Sequence, residues 1–145
     1  MKTGLRLFLV DDNPADVGLT REALATSPRH SAIESVADGT EAMAFLECKG
    51  KYASAERPDV VILDLSLPKK SGLSVLAAMK DAPKLRGIPV VIFSTSQLND
   101  DVLRSYEMGA SCYVSKPGNL ADFFAAVKSI EEFWCDRVRL PRQGE

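Results

Sequence analysis

Residues 60–72 read VVILDLSLPKKSG. Val60, Val61, Ile62 and Leu63 form an unbroken apolar run of strand length, rich in β-branched side chains, which suits a strand covered on both faces. A sheet with one wet face would alternate apolar and polar residues, so this run predicts helices above and below it. At Asp64 the run stops on a carboxylate. Pro68 and Gly72 then turn the chain, and Leu73, Leu76 and Ala77 recur at helical spacing up to Asp81, before Pro83 ends the helix.

The same alternation extends in both directions. Leu5–Val10, Ala32–Val36, Val60–Leu63, Ile88–Phe93 and Ser111–Ser115 have strand character, and each precedes a helical segment. Asn13 is placed to cap the first helix, with Pro14 at its first position and Pro28 as its stop. Thr40–Cys48 makes the second, with Ala42, Phe45 and Leu46 on one face. A fourth begins near Asn99, carries Asp100 and Asp101 in its first turn and closes at Gly109. Asn119 caps the last, which aligns Phe123, Val127, Ile130 and Trp134. Five strand–helix units in succession predict a doubly wound α/β domain with a parallel sheet and right-handed crossovers.

The 145 residues are enough for one domain with a proper core, with hydrophobic residues at 46% and charged residues at 26%. A formal net charge of −2 gives no general attraction for nucleic acid, and Lys69, Lys70, Arg137, Arg139 and Arg142 lie in short polar segments that read as solvated surface. No apolar stretch reaches membrane-spanning length, and the start has no basic region followed by an apolar one, so a cytoplasmic protein is expected. Cys48, Cys112 and Cys135 are odd in number and form no C-x-x-C pair, which argues against a disulfide framework or zinc knuckle. His30, the one histidine, has no carboxylate nearby in the sequence to orient it for hydrolytic chemistry.

In a doubly wound sheet the carboxyl ends of the strands converge on one edge, where ligands bind. Asp11 and Asp12 end the first strand, Asp64 the third and Ser94 the fourth, while Ser115-Lys116-Pro117 ends the fifth. A single polar strand end marks no more than arrival at water; three carboxylates, a hydroxyl and an ammonium from four strands make a site. Like charges so close raise one another's pKa unless a cation sits among them. An oxygen cluster without cysteine or histidine favours Mg²⁺ over Zn²⁺, and Mg²⁺ works chiefly with phosphates. Lys116 and the Ser94 hydroxyl suit phosphoryl oxygens. Asp64 is the best nucleophile, since a carboxylate can form an aspartyl phosphate once cation and lysine offset the repulsion.

The segments LFLVDDNPAD, VVILDLSLPKKSG, VIFSTS and CYVSKP, in this order and spacing, resemble the receiver domain of two-component response regulators over about residues 5–130. The resemblance implies a flavodoxin-like sheet with strand order 2-1-3-4-5, with Asp64 as phosphoacceptor. It implies Mg²⁺ held by Asp12, Asp64 and the backbone carbonyl of Ser66, with Asp11 acting through a water. Lys116 would hold the phosphoryl group, Ser94 would move toward it, and Tyr113 matches the aromatic that turns inward when that hydroxyl moves. Ser94 stands where Thr is commoner, and lacks the methyl that stiffens χ1. Thr95 stands where many members carry Ala.

The aromatic tail FFAAVKSIEEFWCDRVRLP and the polar insert CKGKYASAERP are similar to the single-domain regulators that partner bacterial and cyanobacterial phytochromes. That similarity implies a sensor histidine kinase, phytochrome-like, as phosphodonor, and a downstream protein or phosphorelay partner as the signal's recipient. Residues 1–130 are expected to form the receiver and 131–145 an extension, with no output module. A homodimer through Phe133, Trp134 and Val138 is expected, because the aromatics continue beyond the length the domain needs. The rival from another class is a Mg²⁺-dependent phosphohydrolase acting through an aspartyl phosphate. Such enzymes place a second Asp two residues after the nucleophile, and here that residue is Ser66.

Overall fold

The computed structural model describes residues 4–141; Arg142 and the rest of the tail lie outside them. Five parallel strands, β1 (Arg6–Val10), β2 (Ala32–Val36), β3 (Val60–Leu63), β4 (Val90–Ser94) and β5 (Cys112–Ser115), form one sheet in the order β2-β1-β3-β4-β5. The helices are α1 (Pro14–Ala25), α2 (Gly39–Leu46), α3 (Gly72–Asp81), α4 (Asn99–Glu107) and α5 (Leu120–Glu132). This is the flavodoxin-like arrangement expected from the sequence, and β3 at its centre is buried at every position.

The period of two along each strand divides the core into two layers. Phe8, Val10, Val61, Leu63, Val90 and Ile92 face α2 and α3, meeting Ala42, Phe45, Val75, Leu76 and Met79. Leu7, Leu9, Val60, Ile62, Val91 and Phe93 face α1 and α5, meeting Leu24, Phe123, Val127, Ile130 and Trp134. The Phe8 and Phe45 rings stack with centroids 4.1 Å apart, joining α2 to β1.

Several boundaries differ from the sequence reading for identifiable reasons. The fourth strand starts at Val90, not Ile88, because Pro89 has no N–H for the ladder and its carbonyl accepts from Val61. The second helix starts earlier and ends sooner than Thr40–Cys48, because Asp38 takes the cap by accepting from the Glu41 N–H, and Cys48 adopts a φ of 56°. The third begins at Gly72, with Ser71 as its cap. The polar insert is anchored: a 3₁₀ turn at Gly50–Tyr52 brings the Tyr52 ring edge-on to Phe45, and its hydroxyl donates to Glu41 Oε1 at 3.2 Å.

After α5 the chain continues as a π-helical turn, Phe133–Arg137. Trp134 and Cys135 are buried in the chain's own core and Val138 packs against it. Of the three residues expected to reach a second copy, only Phe133, 51% exposed, presents an open ring.

Candidate functional site

The strand register sets the site. Asp64 N–H donates to the Val10 carbonyl at 2.9 Å, placing the end of β3 beside the end of β1. Lys116 N–H donates to the Ser94 carbonyl at 2.8 Å, placing the end of β5 beside β4. The four strand ends picked out by sequence are therefore neighbours, and Asp11, Asp64, Ser94 and Lys116 are all buried.

Lys116 crosses the cleft. Its Nζ donates to Asp11 Oδ2 at 2.7 Å, Asp64 Oδ2 at 2.8 Å and Asp16 Oδ2 at 2.9 Å, so all three ammonium protons meet carboxylates. Asp11 Oδ1 accepts from the Asn13 N–H at 2.9 Å, and Asp64 Oδ1 accepts from the Ser66 N–H at 3.3 Å. Burial pushes the Asp11 carboxyl above its ordinary value, against the lowering effect of its bonds to Lys116 and Asn13. Burial alone would pull Lys116 down, but its bonds to Asp11, Asp64 and Asp16 together raise it above 10.5.

Asp11, Asp12 and Asp64 each offer a carboxylate oxygen, and these atoms lie within 4.8 Å of one another. Oxygens around an octahedral Mg²⁺ stand about 2.9 Å apart along an edge and about 4.2 Å apart across the ion. Spacing and donor chemistry thus fit a small hard cation. With Asp16 included, the site gathers four carboxylates and one ammonium, an excess of negative charge that such a cation would offset.

The switch candidates share one hydrogen-bonded loop. Ser94 Oγ accepts from the Ser96 N–H at 3.3 Å, and the Tyr113 hydroxyl donates to the Ser96 carbonyl at 2.8 Å. Ser96 Oγ in turn donates to Asp101 Oδ2 in α4, so this loop ties β4, β5 and α4 together.

The response regulator receiver domain model matches residues 7–128. The chain belongs to the response regulator receiver family. Rcp1, a response regulator of Synechocystis sp., is 46% identical over 135 residues, covering 93% of this chain and 92% of the relative. The solved structure of RcpA, a phosphorylated cyanobacterial phytochrome response regulator, superposes with a TM-score of 0.93 at 48% identity, covering 97% of this chain and 100% of that one. Mn²⁺-bound Rcp1 superposes with a TM-score of 0.91 at 45% identity, covering 95% of this chain and 99% of that one. Receivers bind divalent cations and take phosphoryl groups from sensor histidine kinases, and the acidic cluster of this receiver is of that kind.

One residue of the site escaped the sequence reading. Asp16 lies in the first turn of α1, not at a strand end, and its bond to Lys116 spans 100 residues. The signal was present in DDNPAD, where a cap at Asn13 makes Asp16 the third residue of a helix starting at the cleft.

Proposed function

We propose that this receiver accepts a phosphoryl group on Asp64 from the phosphohistidine of a sensor histidine kinase, phytochrome-like in kind, with Mg²⁺ as the cation. The observation that carries this is the Lys116 ammonium 2.8 Å from Asp64 Oδ2, at the junction of four strand ends. An Asp64 oxygen attacks phosphorus, the bond from phosphorus to the donor breaks, and the leaving group takes the electron pair. Asp64 is then an acyl phosphate. Hydrolysis reverses its state: water attacks phosphorus, inorganic phosphate departs and the carboxylate returns.

Asp12, Asp64 and the Ser66 carbonyl would hold the cation, which supplies charge for the transferring phosphoryl oxygens. Asp11 would act through a water. Lys116 exchanges a carboxylate for a phosphoryl oxygen. Ser94 Oγ leaves the Ser96 N–H and donates to another phosphoryl oxygen, loosening the loop that holds the Tyr113 hydroxyl. The reading places residues 1–130 in the receiver and 131–145 in its extension. It describes a cytoplasmic phosphoacceptor, not an enzyme acting on other substrates, that signals by contact with a downstream protein and without nucleic acid. Homodimerisation belongs to the same reading.

The test is labelling by acetyl phosphate with Mg²⁺. The wild type is expected to form an acid-stable, base-labile adduct, and Asp64→Asn none. Full labelling of that variant would remove Asp64 from its role. Steady turnover of small phosphate esters would instead support the phosphohydrolase alternative. Transfer profiling against purified histidine kinases tests the donor, with fastest transfer expected from a phytochrome kinase.

A further inference from the structure

We infer that Asp16 is a positioning residue that acts through Lys116: it anchors the ammonium while the bonds to Asp11 and Asp64 are exchanged for the cation and the phosphoryl group. The inference rests on the phosphoacceptor reading and adds a residue to it.

Asp16 is free of the duty its position would usually carry. An acid at the third position of a helix commonly reaches back to the N–H of the capping residue. Here the Asn13 N–H donates to Asp11 Oδ1, and Asn13 Oδ1 itself takes the Ala15 and Asp16 N–H groups. The carboxylate of Asp16 points across the cleft to Lys116 Nζ at 2.9 Å, with 19% of its side chain exposed against 3% for Lys116.

The three partners of the ammonium then differ in kind. Asp11 and Asp64 belong to the group of oxygens within 4.8 Å that fits a cation, whereas Asp16 lies outside it. A cation bound there competes with Lys116 for Asp11 and Asp64, and phosphorylation removes the Asp64 carboxylate's charge and places negative charge on the phosphoryl oxygens instead. Asp16 keeps its full charge and its place through both events. Held by that one bond, Lys116 can turn from carboxylate to phosphoryl oxygen without leaving the cleft. Without Asp16 the third ammonium proton falls to the same oxygens the cation needs, and the site loses a negative charge as well. Both effects weaken cation binding.

The experiment compares wild type, Asp16→Asn, Asp16→Glu and Glu22→Gln, the last removing an equal charge from the exposed side of the same helix. Mn²⁺ dissociation constants are read by electron paramagnetic resonance without phosphodonor. Labelling rates are read with acetyl phosphate at saturating Mg²⁺. Asp16→Asn is expected to weaken Mn²⁺ binding about tenfold and slow labelling by a similar factor. Asp16→Glu is expected to recover part of both, and Glu22→Gln to match wild type. Thermal unfolding of each variant shows that it is folded. Wild-type affinity and rate in Asp16→Asn, whatever its melting temperature, would confine Asp16 to helix stability and overturn the inference. An equal loss in Glu22→Gln would reduce the effect to net charge and overturn it too. A wild type that neither binds Mn²⁺ nor labels would overturn the phosphoacceptor reading itself.

Discussion

Lys116 keeps an ammonium charge with 3% of its side chain exposed, a placement that is tolerable only because three carboxylates surround it. Its folded-state pKa lies above 10.5, after hydrogen bonds to Asp11, Asp64 and Asp16 outweigh the lowering effect of burial. A lysine raised by folding contributes stability that is fully present below its unfolded pKa and is lost as pH rises through the folded one. Lys116→Met is therefore expected to unfold more easily by on the order of 3 kcal/mol near neutral pH without metal, since it leaves buried carboxylates unpaired. In denaturant titrations across pH, the gap to wild type should stay level up to about 10.5 and narrow above it. Added Mg²⁺ should narrow it at neutral pH, because the variant's carboxylates lose their competitor for the cation. A gap that widens above 10.5 would mean that the ammonium is not what holds these groups together.

Between β3 and α3 the chain has little room, and this close backbone approach helps to fix where Asp64 stands. Gly72 N–H donates to the Leu65 carbonyl at 3.0 Å, and a Cβ on Gly72 would stand 2.2 Å from the Asp64 carbonyl oxygen and 2.7 Å from Leu65 Cα. Both obstacles are backbone, so the turn itself would have to shift. Gly72→Ala is expected to cost about 2–3 kcal/mol by denaturant unfolding and to slow phosphoryl labelling, because the displaced backbone carries Asp64, the proposed phosphoacceptor. Gly18→Ala, in the exposed middle of α1 with nothing within 4 Å of the new Cβ, should instead stabilise by about 0.5–1 kcal/mol and leave labelling unchanged. The strand ends and their convergence were legible in sequence because doubly buried apolar runs stop abruptly on polar residues. Chain entry into β4 was misplaced because Ile88 is apolar and buried yet lies in a turn, its N–H donating to the Leu85 carbonyl. Asp16 was missed because a helix gives its first-turn acids a local explanation in the dipole, which hides a long-range partner.

At the scale of the whole molecule, the end of α5 decides how a dimer can be tested. Cutting the chain at residue 131 would remove Trp134 and Cys135, which are buried with Phe123, Val127 and Ile130 under the sheet, and would destabilise the monomer itself. Helical spacing sets Trp134 on the face of Phe123, Val127 and Ile130, and the structure keeps it there while Phe133 stays outside, the two rings edge to face with centroids 5.4 Å apart; only the dimer expectation had grouped the two. A point substitution separates packing from association. Phe133→Ser is expected to keep the wild-type melting temperature within a few degrees, since a half-exposed ring contributes little to the monomer's own core. In light scattering across a concentration series, the wild type should approach twice the 15.8 kDa chain mass and Phe133→Ser should remain at the single-chain value. Besides Leu120 at the start of α5, the other large exposed apolar residues lie on one helix and give the competing outcome a definite place. Leu98, Leu103 and Tyr106 are 68%, 51% and 49% exposed at and along α4, so a dimer that survives Phe133→Ser but dissociates in Leu103→Ser would put the interface on α4. A wild type that scatters as a single chain at every concentration would remove the dimer.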